Sequence, residues 1–351
     1  MSGPLEATDT VPLVLSQDYE LFFQDSGTIE DCLLRPSDWL SAFARERGAS
    51  LTFFVDAGML SRMSALRNQP TVGRMYDTVR RHVAQLANAG HEIGLHVHPH
   101  WEDTEWDGTR WQFGGARYRL DQFSVEETQD IVTRYAAELQ ALTDRRLLTY
   151  RAGGFCIEPF DHLREALLSL DITVDSSVVP GAYLQDAEKG FDFRAVPEAP
   201  WWYFDASPRK ADPAGRFLEI PISTTTLPFF HYWKRLFARL AGKGGGGAAA
   251  GGAPKRLGAL AIVRRLLGDG RISELSVDAP KAPQLVAAAA ADRVPPFWQV
   301  MGHPKLVTPE SLQYLGRFLD ARGIRRVIPL ASLAEDIGNG TIQKPEQRRA
   351  A

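Results

Sequence analysis

Short apolar runs alternating with helical stretches set the rhythm of the chain. Residues 11–15, 50–56, 147–150, 172–177, 217–222 and 298–301 are too short and too apolar for amphipathic helices. They read as strands buried on both faces. A further run, 90–97, has the same character and ends in a cluster of histidines. Between these runs the apolar positions recur at helical spacing. In 37–48, Trp39, Leu40, Phe43 and Ala44 share one face, with Ser37 placed to cap the start and Gly48 to stop the helix. Further helices are predicted over about 72–88, 123–142, 158–170 and 311–322, that at 123–142 opened by the capping box Ser124 and Glu127. A last strand is predicted at 326–329. Strands that alternate with helices in this way form a parallel sheet or barrel.

One segment breaks the rhythm. An aromatic and basic stretch, 227–240, precedes a nearly pure Gly/Ala tract, 242–253, which reads as a flexible linker, and a second basic stretch follows. The region near 227–292 is therefore predicted as a helical insertion in one barrel-like domain spanning 1–340, with 341–351 a disordered tail. A basic amphipathic helix with Trp and Phe can lie at a membrane surface, or it can cover the barrel or form a dimer contact.

Composition narrows the picture only slightly. The 351 residues are 44% hydrophobic and 24% charged, as in ordinary globular proteins, and a formal net charge of −3 gives no basis for nucleic-acid binding. Two cysteines, Cys32 and Cys156, make a disulfide framework unexpected. No secretory signal pattern opens the sequence and no run of about 20 apolar residues occurs, so a cytoplasmic location is expected, with the inner face of the membrane as a further site.

Chemistry concentrates in Gly90-His91-Glu92-Ile93-Gly94-Leu95-His96-Val97-His98-Pro99-His100, which holds four of the eight histidines. Neutral imidazole is the commonest ligand of a catalytic metal. In extended backbone His96, His98 and His100 share a face; in a helical turn only His96 and His100 meet. Pro99 biases His98 to extended geometry, which favours a strand ending near His96 and a turn returning His100 beside it. Asp18, Glu20, His96, His100, Arg151, Asp175 and His303 all follow the C-terminal ends of apolar strands. That is the end at which α/β barrels build active sites. His82, His91, His162 and His231 are read as structural, and Cys156 as a small buried hydrophobe. The aromatic loop 101–118 suits either the apolar faces of sugars or a set of loop anchors.

Six short motifs in register then resemble the polysaccharide deacetylase family, carbohydrate esterases with the chitooligosaccharide deacetylase homology domain. They are Ser16-Gln17-Asp18, Thr52-Phe53-Phe54, Gly90 to His100, Arg151-Ala152-Gly153-Gly154, Asp175-Ser176-Ser177 and Gly302-His303-Pro304. The resemblance implies a deformed (β/α) barrel of about seven parallel strands. It also implies a divalent metal, most often Zn2+, with Co2+, Ni2+ or Mn2+ as alternatives, used to remove an N-acetyl or similar acyl group. By matching positions, His96 and His100 are implied as metal ligands, Asp18 as catalytic base paired with Arg151, and His303 as general acid oriented by Asp175. The family commonly has two adjacent aspartates in the first motif, where this chain has Asp18-Tyr19-Glu20. Glu20 shares the face of Asp18 in a continuing strand and is the candidate third ligand, with Asp18 itself and His98 as open alternatives. A glycan or a lipid- or nucleotide-linked sugar of the cell envelope is the expected substrate. A cyclic amide or imide hydrolase and a carbohydrate-binding pseudoenzyme are the competing readings.

Overall fold

A computed structural model of the chain describes residues 11–22, 27–113, 116–226, 272–290 and 294–344. The anticipated linker 242–253, the aromatic and basic stretch 227–240, His231 and the tail beyond 344 lie outside the described residues.

The apolar runs form the strands β1 (Leu13–Tyr19), β2 (Thr52–Asp56), β3 (Glu92–Val97), β4 (Thr149–Ala152) and β5 (Val174–Asp175). They are followed by β6 (Trp202–Phe204), β7 (Phe217–Glu219), β8 (Thr224–Thr226), β9 (Ile272–Glu274) and β10 (Trp298–Gly302). In the main sheet the order is β6-β7-β5-β4-β3-β2-β1-β10, every neighbouring pair parallel except the antiparallel edge strand β6. The sheet curls until its ends meet. Ser223 N donates to Gln299 O at 3.0 Å, Val277 N to Met301 O at 2.9 Å, and Ile222 N to Val178 O at 2.9 Å. The result is a deformed barrel with seven parallel strands, as the family resemblance implies.

Helices cover the outside: α1 (Arg35–Arg45), α2 (Ala57–Ala65), α3 (Pro70–Asn88), α4 (Val125–Gln140), α5 (Asp161–Ser169), α6 (Pro283–Ala289), α7 (Pro309–Arg322) and α8 (Leu330–Gly338). The capping box at Ser124 and Glu127 forms as expected. Ser37 does not cap α1; Pro36 occupies the first turn and Ser37 is buried within the helix. The expected last strand at 326–329 shrinks to one bridge, Leu13 to Val327, because Pro329 turns the chain into α8. That helix starts against a buried carboxylate. Glu92 accepts from Thr52 and Thr149 hydroxyls, both at 2.7 Å, and from Ala331 N at 3.1 Å, closing the end of the barrel opposite the histidines.

One boundary needs correction. Residues 272–290, placed in the insertion by the sequence reading, pack against the barrel: β9 pairs with β8 in a separate two-stranded sheet, Leu275 and Val277 are fully buried, and Ser276 bridges Met301. Their alternation, Ile272-Ser273-Glu274-Leu275-Ser276-Val277, is a strand signature that proximity to the Gly/Ala tract obscured.

Candidate metal centre

Five strand ends deliver polar side chains to the same mouth of the barrel. β1 brings Asp18 and Glu20, β3 brings His96 and His98, β4 brings Arg151, and β10 brings His303. The segment after β9 brings Asp278.

His96 is buried at the end of β3, and its Nδ1 donates to the carbonyl of Arg151 at 2.8 Å. A carbonyl can only accept, so the neutral ring keeps its lone pair on Nε2. Nε2 lies 3.5 Å from Glu20 Oε2 and 4.0 Å from Asp18 Oδ2. His98 Nε2 lies 2.5 Å from the same Glu20 oxygen. Neither buried ring nitrogen of His98 has a hydrogen-bond partner among the described residues. The contact with Glu20 is thus close but badly angled for a hydrogen bond. That is the arrangement of two donors aimed at a shared third point. Ligand atoms of Glu20, His96 and His98 all lie within 4.8 Å of one another.

His100, expected beside His96, is not among them. Its ring is stacked with Trp101 at 5.4 Å and Tyr118 at 6.0 Å, edge-on to Phe113 at 5.3 Å. Burial, and His98 after it, push its pKa well down and keep it neutral. The backbone gives the reason. His98 is still extended, at φ −109° and ψ 99°, so it shares a face with His96; the 3-10 turn Pro99–Asp103 then swings His100 away. The aromatic loop answers its own question in the same way. Trp101, Trp111 and Phe113 are buried anchors packed on one another, not an exposed sugar platform.

Arg151 is fully buried across the barrel interior. Nη1 donates to Asp18 Oδ1 at 2.7 Å, Nη2 to Ser16 Oγ at 2.9 Å and Ser176 Oγ at 3.0 Å, and Nε to Ser176 O at 2.8 Å. Burial alone would raise the pKa of Asp18, but Arg151, then His96 and His303, outweigh it and hold it below the usual carboxylate range. With Oδ1 taken by Arg151, Oδ2 faces the donors, 3.8 Å from His303 Nε2. Glu20 is held well below its ordinary value despite burial, chiefly by Lys305 and then His98.

His303 is oriented by Asp278, not by Asp175. Asp278 accepts from His303 N at 2.7 Å and is paired with Nδ1 at 2.9 Å, so both carboxylate oxygens fix one residue. Burial would discharge the ring, but Asp278, then Asp18 and Glu20, push its pKa up to about 9. Asp175 lies elsewhere in the network: it accepts from Ser177 Oγ at 2.6 Å and shares a buried site with Glu219. Ser177 in turn accepts from Ala152 N at 2.9 Å. Asp175 therefore buttresses the end of β4. The sequence signal for Asp278, a carboxylate that follows an alternating run, is obscured by its nearness to the Gly/Ala tract. Lys305, two residues after His303, carries no chemical signal in the sequence alone; its Nζ donates to Glu20 Oε1 at 2.8 Å.

Glycine makes the site possible. A Cβ on Gly153 would sit 2.6 Å from both His98 Nδ1 and Val97 O. His91 and His82 are structural, as expected: His91 Nδ1 accepts from Leu51 N at 3.1 Å, and His82 bonds the Tyr19 hydroxyl at 2.8 Å.

No family model and no curated protein matches the chain. Among solved structures it matches a Mycobacterium smegmatis protein described as a candidate polysaccharide deacetylase. The TM-score is 0.55 at 16% identity, covering 98% of this chain and 94% of that one. The two chains share one fold. More distant matches include a peptidoglycan N-acetylglucosamine deacetylase (TM-score 0.38, 11% identity, 93% of this chain and 88% of that). A Bacillus anthracis pseudoenzyme of the CE4 family follows (TM-score 0.39, 11% identity, 93% and 66%).

Proposed function

We propose that the protein is a metal-dependent hydrolase that removes an N-acetyl or similar acyl group from a glycan or glycan precursor. The observation that carries the reading is the convergence of Glu20, His96 and His98 beside two proton-transfer groups, Asp18 and His303, at the barrel mouth. Two imidazoles and one carboxylate are the donor set of a catalytic zinc site that keeps a position for water and substrate. His98, whose buried Nε2 faces Glu20 Oε2 and whose ring nitrogens make no hydrogen bond among the described residues, and the carbonyl-fixed tautomer of His96 fit that role. The ion would supply an activated water and polarise the acyl oxygen.

The side chains supply the rest. Asp18, ionised by Arg151, takes a proton on Oδ2. His303, protonated through Asp278, gives one to the departing amine from Nε2. Burial of the pair Arg151 and Asp18 removes competing water and holds the base oxygen in place. The fold shared with the Mycobacterium smegmatis protein supports acyl removal from a polysaccharide, and a lipid- or nucleotide-linked sugar of the cell envelope remains the proposed form of the substrate. The departure in the first motif does not leave the centre short of a donor, since Glu20 takes the place of an adjacent aspartate.

Acetate release from N-acetylated glucosamine oligosaccharides, together with metal content, tests this. The wild-type protein should hold about one Zn2+ per chain and release acetate. His96→Ala should lose both, and Asp18→Asn should keep the metal while losing about 100- to 10,000-fold in rate. A wild-type protein that takes up no divalent ion, or a His96→Ala variant with undiminished turnover, would overturn the reading.

A further inference from the structure

Lys305 is buried, 8% exposed, in the single turn Pro304–Leu306 that directly follows His303. Its ammonium donates to Glu20 Oε1 at 2.8 Å and to the carbonyl of Leu21 at 2.8 Å, and sits 5.1 Å from the Phe22 ring centre. Burying a lysine is costly unless its charge is paired and its donors are used. Here both conditions are met by the strand end that carries Glu20. The two carboxylate oxygens of Glu20 are thereby given different work: Oε1 faces Lys305, whereas Oε2 faces His96 at 3.5 Å and His98 at 2.5 Å.

We infer that Lys305 is a positioning residue that holds Glu20 as a one-oxygen ligand. A carboxylate beside a divalent ion can offer one oxygen or both. Offering both would fill a coordination position that water and the acyl oxygen need in a hydrolytic site. Two hydrogen bonds pin the ammonium between Leu21 O and Oε1, so rotation of Glu20 to present both oxygens would break the charge-assisted one. The same short turn thus sets the general acid through His303 and the ligand through Lys305. This inference rests on the proposed metal centre.

Affinity is not the decisive readout. Removing a positive charge near a cation favours binding, while freeing the ligand opposes it. Coordination number separates the two. Co2+ in a four-coordinate site absorbs visible light much more strongly than in a five- or six-coordinate one. Co2+-loaded wild-type protein should show the strong spectrum; Lys305→Met should lose most of that intensity at unchanged one-to-one stoichiometry, and Lys305→Arg, which keeps a donor and the charge, should recover it. An unchanged spectrum in Lys305→Met overturns the inference and leaves the metal centre standing. Failure of the wild-type protein to take up Co2+ overturns the metal centre itself, and the inference with it. If Lys305→Met does not fold, the crystal structure of the Zn2+-loaded wild-type protein decides: one Glu20 oxygen on the ion supports the inference, two overturn it.

Discussion

At the scale of single residues, charged partners set protonation at the barrel mouth. Asp278 grips both the backbone N and ring Nδ1 of His303, and the pKa of about 9 that results keeps the ring protonated at neutral pH. Because Asp278 raises that value, Asp278→Asn should lower it. The high-pH fall in kcat, expected near 9 in the wild type, should move toward neutral pH; an unmoved limb would assign the acid role to another group. The buried pair Asp175 and Glu219 behaves in the opposite sense to Asp18. Burial, then the charge of Asp175, pushes Glu219 well above its ordinary value of 4.5. The folded state therefore keeps a proton that the unfolded chain has released. Stability from this group is fully present below 4.5 and declines as pH rises toward the raised value. Glu219→Gln mimics the protonated form, so it should flatten the dependence of stability on pH above that point. Chemical denaturation across pH 5 to 8 measures the slope, and equal slopes in the two proteins would show that Glu219 is ionised in the fold.

At the scale of elements, two turns decide which side chains meet. β3 stays extended one residue past its last paired position, so His98 rather than His100 joins His96, and Pro99 begins the turn that sends His100 into the aromatic box. The turn after β4 must leave room for this, and Gly153 does so because a Cβ there would meet His98 Nδ1 and Val97 O, both at 2.6 Å. Backbone cannot yield as a side chain can, so His98 must shift. Gly153→Ala should weaken metal binding about 10- to 100-fold, the range for disturbing the support of a ligand. Chelator competition reads this directly, and unchanged affinity would remove His98 from the ligand set. The alternation of strand and helix that defines these elements was legible in the sequence because it is local: buried parallel strands read as short apolar runs, and helices show their own period. The elements that escaped it were short. α2 follows β2 without a break, with Asp56 as cap to Met59 N at 3.3 Å, and β6 has three residues.

At the scale of the whole molecule, the centre draws on side chains far apart in the chain, with Lys305 on Glu20 and Arg151 on Asp18 as the long-range ties. An ion bound there links the start, middle and end of the barrel, and binding only the folded form must stabilise it. Adding Zn2+ at a hundredfold excess over its dissociation constant should stabilise the protein by about 2.7 kcal/mol, visible as a rise in Tm. The rise should vanish in His96→Ala; a similar rise in that variant would mean that zinc binds elsewhere. No described helix is long and apolar enough to cross a membrane. The sequence by itself determined the alternation of strand and helix and the end of the strands at which Asp18, Glu20, His96, Arg151 and His303 gather, since strand character is written locally and parallel strands point their C-terminal ends the same way; the barrel and the pairing of Asp18 with Arg151 came from the family resemblance. Only the tertiary structure decided that His98 rather than His100 lies beside Glu20 and His96, and that Asp278 rather than Asp175 pairs with His303. Those choices depend on where a turn aims a side chain and on how the barrel closes between residues 223, 277 and 299, and neither is encoded in the spacing of any one segment.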